Sequence, residues 1–278
     1  MNVNYIVLKK FSALIAALSL ILGLSSCSVR KQEAPPEPTA STTSHVVSIT
    51  FPEGSPVVLM ATLLEENGVC SAADFLAEAN NPLNLEGFSF EIPDAENRAF
   101  LLEGYLFPDT YEFYRNESAS SAIKRFLKNT EKKLDESIRL RCAELGFTLD
   151  EVLTLASIIQ EEAGVPAEMA KVSSVLHNRL NSRSYPRLQC DVSVFYLKEY
   201  VKPHVDEVRY GELSELYNTY NCDGLPEGPI TNSGIDAVKA ALYPEDTDYY
   251  FFITDNDGVY HYAETWAEHV DNCNAAGI

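Results

Sequence analysis

Two prolines and three glycines fall between Tyr217 and Gly234, in the run Tyr217-Asn218-Thr219-Tyr220, Gly224-Leu225-Pro226-Glu227-Gly228-Pro229-Ile230 and Asn232-Ser233-Gly234. No regular element can cross such a stretch, because proline removes a backbone donor and glycine opens φ values that helices and strands do not use. The chain is forced into a shaped loop. Its tyrosines and asparagines set flat apolar faces beside paired donors and acceptors, which is what a sugar ring requires. An ordinary tight surface loop has the same composition, and the loop alone leaves both readings open.

The two ends of the chain differ in kind. Lys9 and Lys10 precede an apolar run from Phe11 to Leu24 and then Leu24-Ser25-Ser26-Cys27. The run is shorter than the roughly 20 apolar residues that span a bilayer, and small residues before a cysteine resemble a lipoprotein cleavage box. Residues 1–27 are expected to be a lipoprotein signal peptide with Cys27 as the lipidated residue; the alternative is an uncleaved short anchor. Either reading puts the bulk of the chain outside the cytoplasm. Residues 28–45, rich in Pro, Ser and Thr, are expected to be a disordered tether. From Val46 onward the chain can bury a core of its own, enough for one ordinary domain and a small one.

A net charge of −20 argues against nucleic acid and anionic headgroups as partners. Beyond Cys27 the cysteines are Cys70, Cys142, Cys190, Cys222 and Cys273, an odd set whose spacing dictates no disulfide. Val46–Phe51 alternates like a strand, Val57–Asn67 and Ser71–Ala79 have helical spacing, and the aromatic stretch Leu102–Phe113 reads as a buried loop or irregular strand. Such a strand-helix-helix unit suits a small carbohydrate-binding module and a generic linker domain equally. Ser118–Arg141 reads as one long amphipathic helix.

Thr148-Leu149-Asp150-Glu151 is a capping box, and Gly164 with Pro166 closes the helix it opens. Residues 150, 154, 157 and 161 lie on one line and predict a wet face that includes Glu161. Glu162 falls instead with Leu155 and Ile158. A carboxylate on an apolar stripe has a raised pKa, which suits a general acid, unless the last turn simply delivers it to solvent. The next helix, from about Pro166 to Asn181, carries Asn178. In Arg187–Ser193 an extended chain would put Gln189, Asp191 and Ser193 on one side, as a groove wall or as a plain exposed edge. There is no Gly-x-Ser-x-Gly turn, and the five histidines show no ligand-spaced pair.

Taken together, Leu102–Phe113, Ala156–Ala163, Val175–Leu180, Leu188–Ser193, Tyr217–Gly234, Asp248–Phe252 and His261–His269 resemble the endolytic murein transglycosylase family, also called YceG-like, in order and spacing. The resemblance implies an α+β fold, with a small LysM-like domain at 46–93 and a mixed α/β catalytic domain with a substrate groove at 94–278. It implies an enzyme on the outer face of the cytoplasmic membrane that cuts nascent peptidoglycan glycan strands between MurNAc and GlcNAc, leaving 1,6-anhydro-MurNAc ends. No cofactor and no metal are called for. The family's Ile-Glu-x-Glu acid maps to Glu162, and Asn178, Gln189, Asp191, Ser193, Tyr217, Asn218 and Tyr220 would hold the sugars. The expected partners are peptidoglycan strands, the cell membrane through the lipid anchor read at Cys27, and peptidoglycan synthases. Three departures stand out: Gln160 occupies the place of the motif's first Glu, a lipid replaces the usual transmembrane helix, and the LysM-like part is short. Gln160 also leaves room for a non-catalytic, peptidoglycan-binding lipoprotein scaffold.

Overall fold

In the computed structural model, which describes residues 45–93 and 95–278, the first strand finds its partner more than sixty residues away. β1 (Val46–Thr50) pairs antiparallel with β2 (Thr110–Tyr114), Ile49 opposite Tyr111. Alternation along β2 turns Tyr111 and Phe113 inward and leaves Thr110, Glu112 and Tyr114 exposed, the period-2 signature of a half-buried strand. The inner face, extended by Phe51, is covered by α2 (Ala72–Ala79) and α3 (Ala119–Lys133). There Phe51 and Phe126 meet edge-on at 4.9 Å, and Phe75 joins them. α1 (Val57–Glu66) packs against α2. The strand-helix-helix unit read at 46–93 therefore takes its second strand from beyond residue 93. The described residues from 45 onward form one unit with a continuous hydrophobic core.

The helix expected over Ser118–Arg141 is two helices. Leu134 is fully buried at the end of α3, and Asp135 accepts from the Ser137 and Ile138 amides to start α4 (Glu136–Leu145). An Asx cap with a buried preceding leucine outweighs the unbroken charge pattern. α5 (Leu149–Glu162) begins at the expected Thr148 capping box and lies at the centre, against α6 (Pro166–Leu180) and α9 (Ile235–Leu242). α7 (Asp191–Tyr196) runs through a π-helical turn (Leu197–Val201) toward α8 (Glu207–Tyr217). A hairpin of β3 (Phe251–Thr254) and β4 (Tyr260–Ala263) precedes the last helix, α10 (Trp266–Ala276). Among the described residues the architecture is α+β, mostly helical, with two small sheets. Among the described residues no helix is long and apolar enough to cross a membrane. The expected signal peptide, Cys27 and nearly all of the expected tether lie outside the described residues.

Two buried carboxylates tie distant segments together. Glu103, 1% exposed, accepts from the Val57 amide at 3.0 Å, from Asn232 Nδ2 at 2.9 Å and from the Tyr196 hydroxyl at 3.3 Å. Burial pushes its carboxyl well above the ordinary range, with the Val57 and Gly104 amides and the Tyr196 hydroxyl pulling the other way and the Glu161 charge adding to the rise. Asp150, on α5, pairs with the buried Arg98 guanidinium and accepts from Tyr105 Oη at 2.7 Å. Gly228 lies against that guanidinium so closely that a Cβ there would sit 1.7 Å from Nη1. Asp150→Ala would strand a buried cation, and the expected loss is about 3–5 kcal/mol of unfolding free energy. Urea denaturation should show it as a lower midpoint at unchanged slope; a midpoint equal to wild type would mean Arg98 finds another partner.

Candidate active site

α5 is buried nearly all round, which corrects the wet face expected along it. Asp150, Thr154 and Ser157 are all buried, and their oxygens are satisfied inside the protein: Thr154 Oγ1 donates to the Asp150 carbonyl, and Ser157 Oγ accepts the Ile230 amide at 3.0 Å. The polar line faces protein, not water: Arg98 and Tyr105 at Asp150 and the Tyr217–Gly234 loop at Ser157. Only its last member, Glu161, reaches the surface.

At this end of α5 three consecutive polar side chains diverge. Gln160 Oε1 accepts from the Gly234 amide at 3.0 Å. A glutamine makes that bond with its amide oxygen as well as a glutamate would, so the departure at 160 has a structural use. Glu161 lies against the turn at Gly54, where a Cβ would come within 2.5 Å of Glu161 Oε1; Gly54 has φ +79° and tolerates the approach as glycine only. Although its outer edge is exposed, loss of hydration pushes the Glu161 carboxyl up to about 7, opposed by the Thr231 hydroxyl. Glu162 is half-buried. Burial also pushes its carboxyl up to about 7, with the charges of Asp191 and Glu161 adding to the shift and the Cys190 thiol and Val192 amide opposing it.

The segment that faces Glu162 is not the extended chain expected over Arg187–Ser193. Gln189 takes a left-handed φ of +56°, and α7 begins at Asp191, so alternate residues do not share a side. Arg179 enforces this turn: its Nη1 donates to Gln189 Oε1 at 2.9 Å and to the Arg187 carbonyl at 3.0 Å, and its Nε to the Tyr250 carbonyl at 2.7 Å. The Gln189 amide donates to the Thr219 carbonyl. A non-glycine residue held in this conformation by so many bonds marks a position whose geometry is over-determined.

Of the residues expected to line the site, Glu162 and Asp191 come together, and Tyr220 joins them by donating to Asp191 Oδ1 at 2.7 Å. Tyr220 is 40% exposed. The other five, Gln189 as described above among them, make internal bonds. Ser193 is fully buried and shares hydroxyl hydrogen bonds with Cys190 and Thr219. Tyr217, 1% exposed, accepts the Ala99 amide at 3.3 Å. Asn178 donates to the Thr247 and Tyr249 carbonyls at 2.7 and 2.9 Å and fastens the approach to β3. Asn218 accepts the Tyr220 amide in a local turn. Glu161, Cys190 and the Gly54 turn belong to the site and were not singled out for it by the sequence, since only a contact across more than a hundred residues brings the turn to α5. Two adjacent carboxyl groups near neutrality can hold and pass a proton around pH 7. Among the described residues no group of His, Cys, Asp and Glu is arranged to hold a metal ion.

Comparison with known proteins gives a consistent result. The sequence pattern of the YceG-like family matches residues 30–275. The endolytic murein transglycosylase of Bacillus subtilis (strain 168) is 32% identical over 241 residues, covering 83% of this chain and 65% of that protein. That of Streptococcus pneumoniae serotype 2 (strain D39) is 28% identical over 201 residues, covering 70% and 35%. The chain thus spans about two thirds of one curated relative and about one third of the other. The crystal structure of a yceG-like protein from Listeria monocytogenes superposes with a TM-score of 0.69 at 30% identity, over 81% of this chain and 74% of that one.

The raised Glu162 pKa carries a stability consequence. A carboxyl whose folded pKa lies above its unfolded value stabilises the fold below the unfolded pKa and loses that contribution as pH rises through about 7. Glu162→Gln removes the titration. The variant should match wild type near pH 4 and exceed it at pH 8 by about 1–2 kcal/mol, a figure reduced for partial exposure to water. Chemical denaturation at the two pH values is the check.

Proposed function

From the fact that this chain belongs to the YceG-like family, we propose that it is an endolytic lytic transglycosylase that cleaves nascent peptidoglycan strands between MurNAc and GlcNAc and leaves 1,6-anhydro-MurNAc ends. The observation that carries the reading is the half-buried Glu162, whose carboxyl is pushed up to about 7 and faces the Asp191–Tyr220 pair. Ordinary glycosidases use two carboxylates, one of them to activate water or attack the sugar. Here one suffices. Protonated Glu162 gives its proton to the glycosidic oxygen as the bond to C1 breaks; the Glu162 carboxylate then takes the proton of the MurNAc C6 hydroxyl as that oxygen closes on C1. The proton balance is restored and the substrate is its own nucleophile, so neither water, metal nor cofactor takes part.

In this reading Asp191, Tyr220 and Gln189 hold the sugars and steady positive charge developing at C1, and a groove along the end of α5 receives the strand. Asn178, Ser193, Tyr217 and Asn218 set the shape of the surrounding loops. The portion 46–93, completed by β2, is the LysM-like part. A lipid on Cys27 anchors the protein at the extracytoplasmic face of the membrane, beside peptidoglycan synthases, in cell wall assembly. The relatives named as endolytic murein transglycosylases support the activity, and the carboxylate environment supports the residue. Gln160 favours a second reading, a non-catalytic peptidoglycan-binding scaffold, to the extent that a lost glutamate matters; its bond to Gly234 shows what the glutamine does instead.

The test is to incubate residues 45–278 with uncrosslinked lipid-linked glycan strands and to search for anhydro-ended fragments by mass spectrometry. Wild type should produce them, with kcat/KM falling as pH rises past about 7 because the neutral acid is consumed. Glu162→Gln should lose about 10²–10⁴-fold in turnover while still binding glycan. Binding without products from either protein would favour the scaffold.

A further inference from the structure

The proposed proton donor stands at an awkward place in the fold. Glu162 is the last residue of α5, where backbone carbonyls have no intrahelical partner and helices fray. Ala163 is already extended, at φ −94° and ψ 101°, Gly164 and Val165 are exposed, and α6 starts at Pro166. The Ala163 amide still donates to the Ile159 carbonyl at 2.9 Å, but the Glu162 carbonyl has no partner within the helix.

A side chain from elsewhere does. Tyr260, on β4, donates its hydroxyl to the Glu162 carbonyl at 3.1 Å and accepts the Gly164 amide at 2.6 Å. One hydroxyl thus bridges the two sides of the α5–α6 corner. Its ring is held in turn by Tyr262, nearly parallel at 6.2 Å, and by Phe252 at 6.4 Å on the paired strand. Tyr262 is fixed through its own hydroxyl to Glu168 Oε2 at 2.8 Å, on the first turn of α6, with Lys171 Nζ over its ring. The hairpin is closed by Asp255, which accepts the Asp257 and Val259 amides and pairs with His261. The pin is carried on a rigid support.

We propose that Tyr260 is a positioning residue for Glu162, a hydroxyl splint from the β3–β4 hairpin that fixes the end of α5 so that the carboxyl meets its substrate in one geometry. The inference rests on the reading of Glu162 as proton donor. A shift of about an ångström in a catalytic group costs on the order of 10²-fold in rate, so restraining one fraying residue has a kinetic return well beyond its effect on stability. Glu162 is thus held through its carbonyl by Tyr260, while its carboxyl lies in the electrostatic reach of Cys190, Asp191 and Val192 at the start of α7. The titratable and charged groups around that carboxyl are Glu161 from α5, Cys190 and Asp191 from the start of α7, and Tyr220 from the loop after α8, with Arg179 of α6 acting through Cys190. Tyr260 approaches from the backbone side.

Tyr260→Phe tests this, because it keeps the ring stack and removes only the hydroxyl. In the full-length chain, kcat for glycan cleavage should fall about tenfold or more with KM little changed, and the Glu162 carboxyl resonance, identified in 13C-glutamate spectra by its absence in Glu162→Gln, should titrate at a different pH or broaden. A merely structural tyrosine would lower the melting temperature and leave both the kcat and the titration where they were. An unmoved Glu162 titration overturns the proposal, as does an unaltered kcat in an active enzyme. Should wild type cleave no glycan, the titration alone decides the positioning, and the failure belongs to the proposed function.

Discussion

A carboxylate sealed from water has to be met by donors, and the donors that meet Glu103 come from three separate parts of the chain. The Val57 amide opens α1, Asn232 sits in the loop before α9, and Tyr196 ends α7. Asn232 passes the constraint on: its Oδ1 accepts the Leu106 amide at 2.9 Å and its Nδ2 donates to the Ser55 carbonyl at 3.0 Å. The Pro52–Ser55 turn is thereby fixed against the 230–234 loop, and Gly54 is delivered to Glu161. The environment of the candidate site is, in this sense, downstream of one buried acid.

The two carboxyl groups at the end of α5 are neighbours in sequence with different surroundings. Glu161 lies against the Gly54 turn near Thr231, whereas Glu162 lies toward Cys190 and Val192 and feels the negative charge of Asp191. Desolvation is the leading cause in both, but the additional anion acts on Glu162. Tyr220 binds that anion without neutralising it. The arrangement keeps a proton on a carboxyl near neutral pH without any single group being removed wholly from solvent.

Local rules read well from the sequence. The capping box at Thr148, the strand from Val46, the helices after Pro56, Ser71 and Pro166, and the loop before α9 are encoded by residues within a few positions of one another. The apolar company of Glu162 was visible too. What was not legible depended on partners far along the chain. The polar line of α5 read as wet because nothing local announces that Arg98, Tyr105 and Ile230 will cover it. The break at Leu134 hid within a continuous charge pattern, although Asp135 offered a cap. The turn at Gln189 could not be seen because glutamine gives no sign of left-handed backbone; Arg179 imposes it. Tyr217 and Ser193 looked like ligand groups because burial, which assigns them to the interior, is a property of the fold and not of the motif.

Gly104 has φ +85°, and a Cβ placed there would meet the ring of Pro229 at 2.4 Å. Those two residues interlock a turn near the first sheet with the loop before α9. The result bears on inheritance: the stretch from Val46 to Tyr114 is keyed into the rest at its backbone, so it cannot travel between genes as a self-contained cassette. A recombinant that imported a different segment at this place would have to bring its own glycine, its own Glu103 and a matching Asn232 loop.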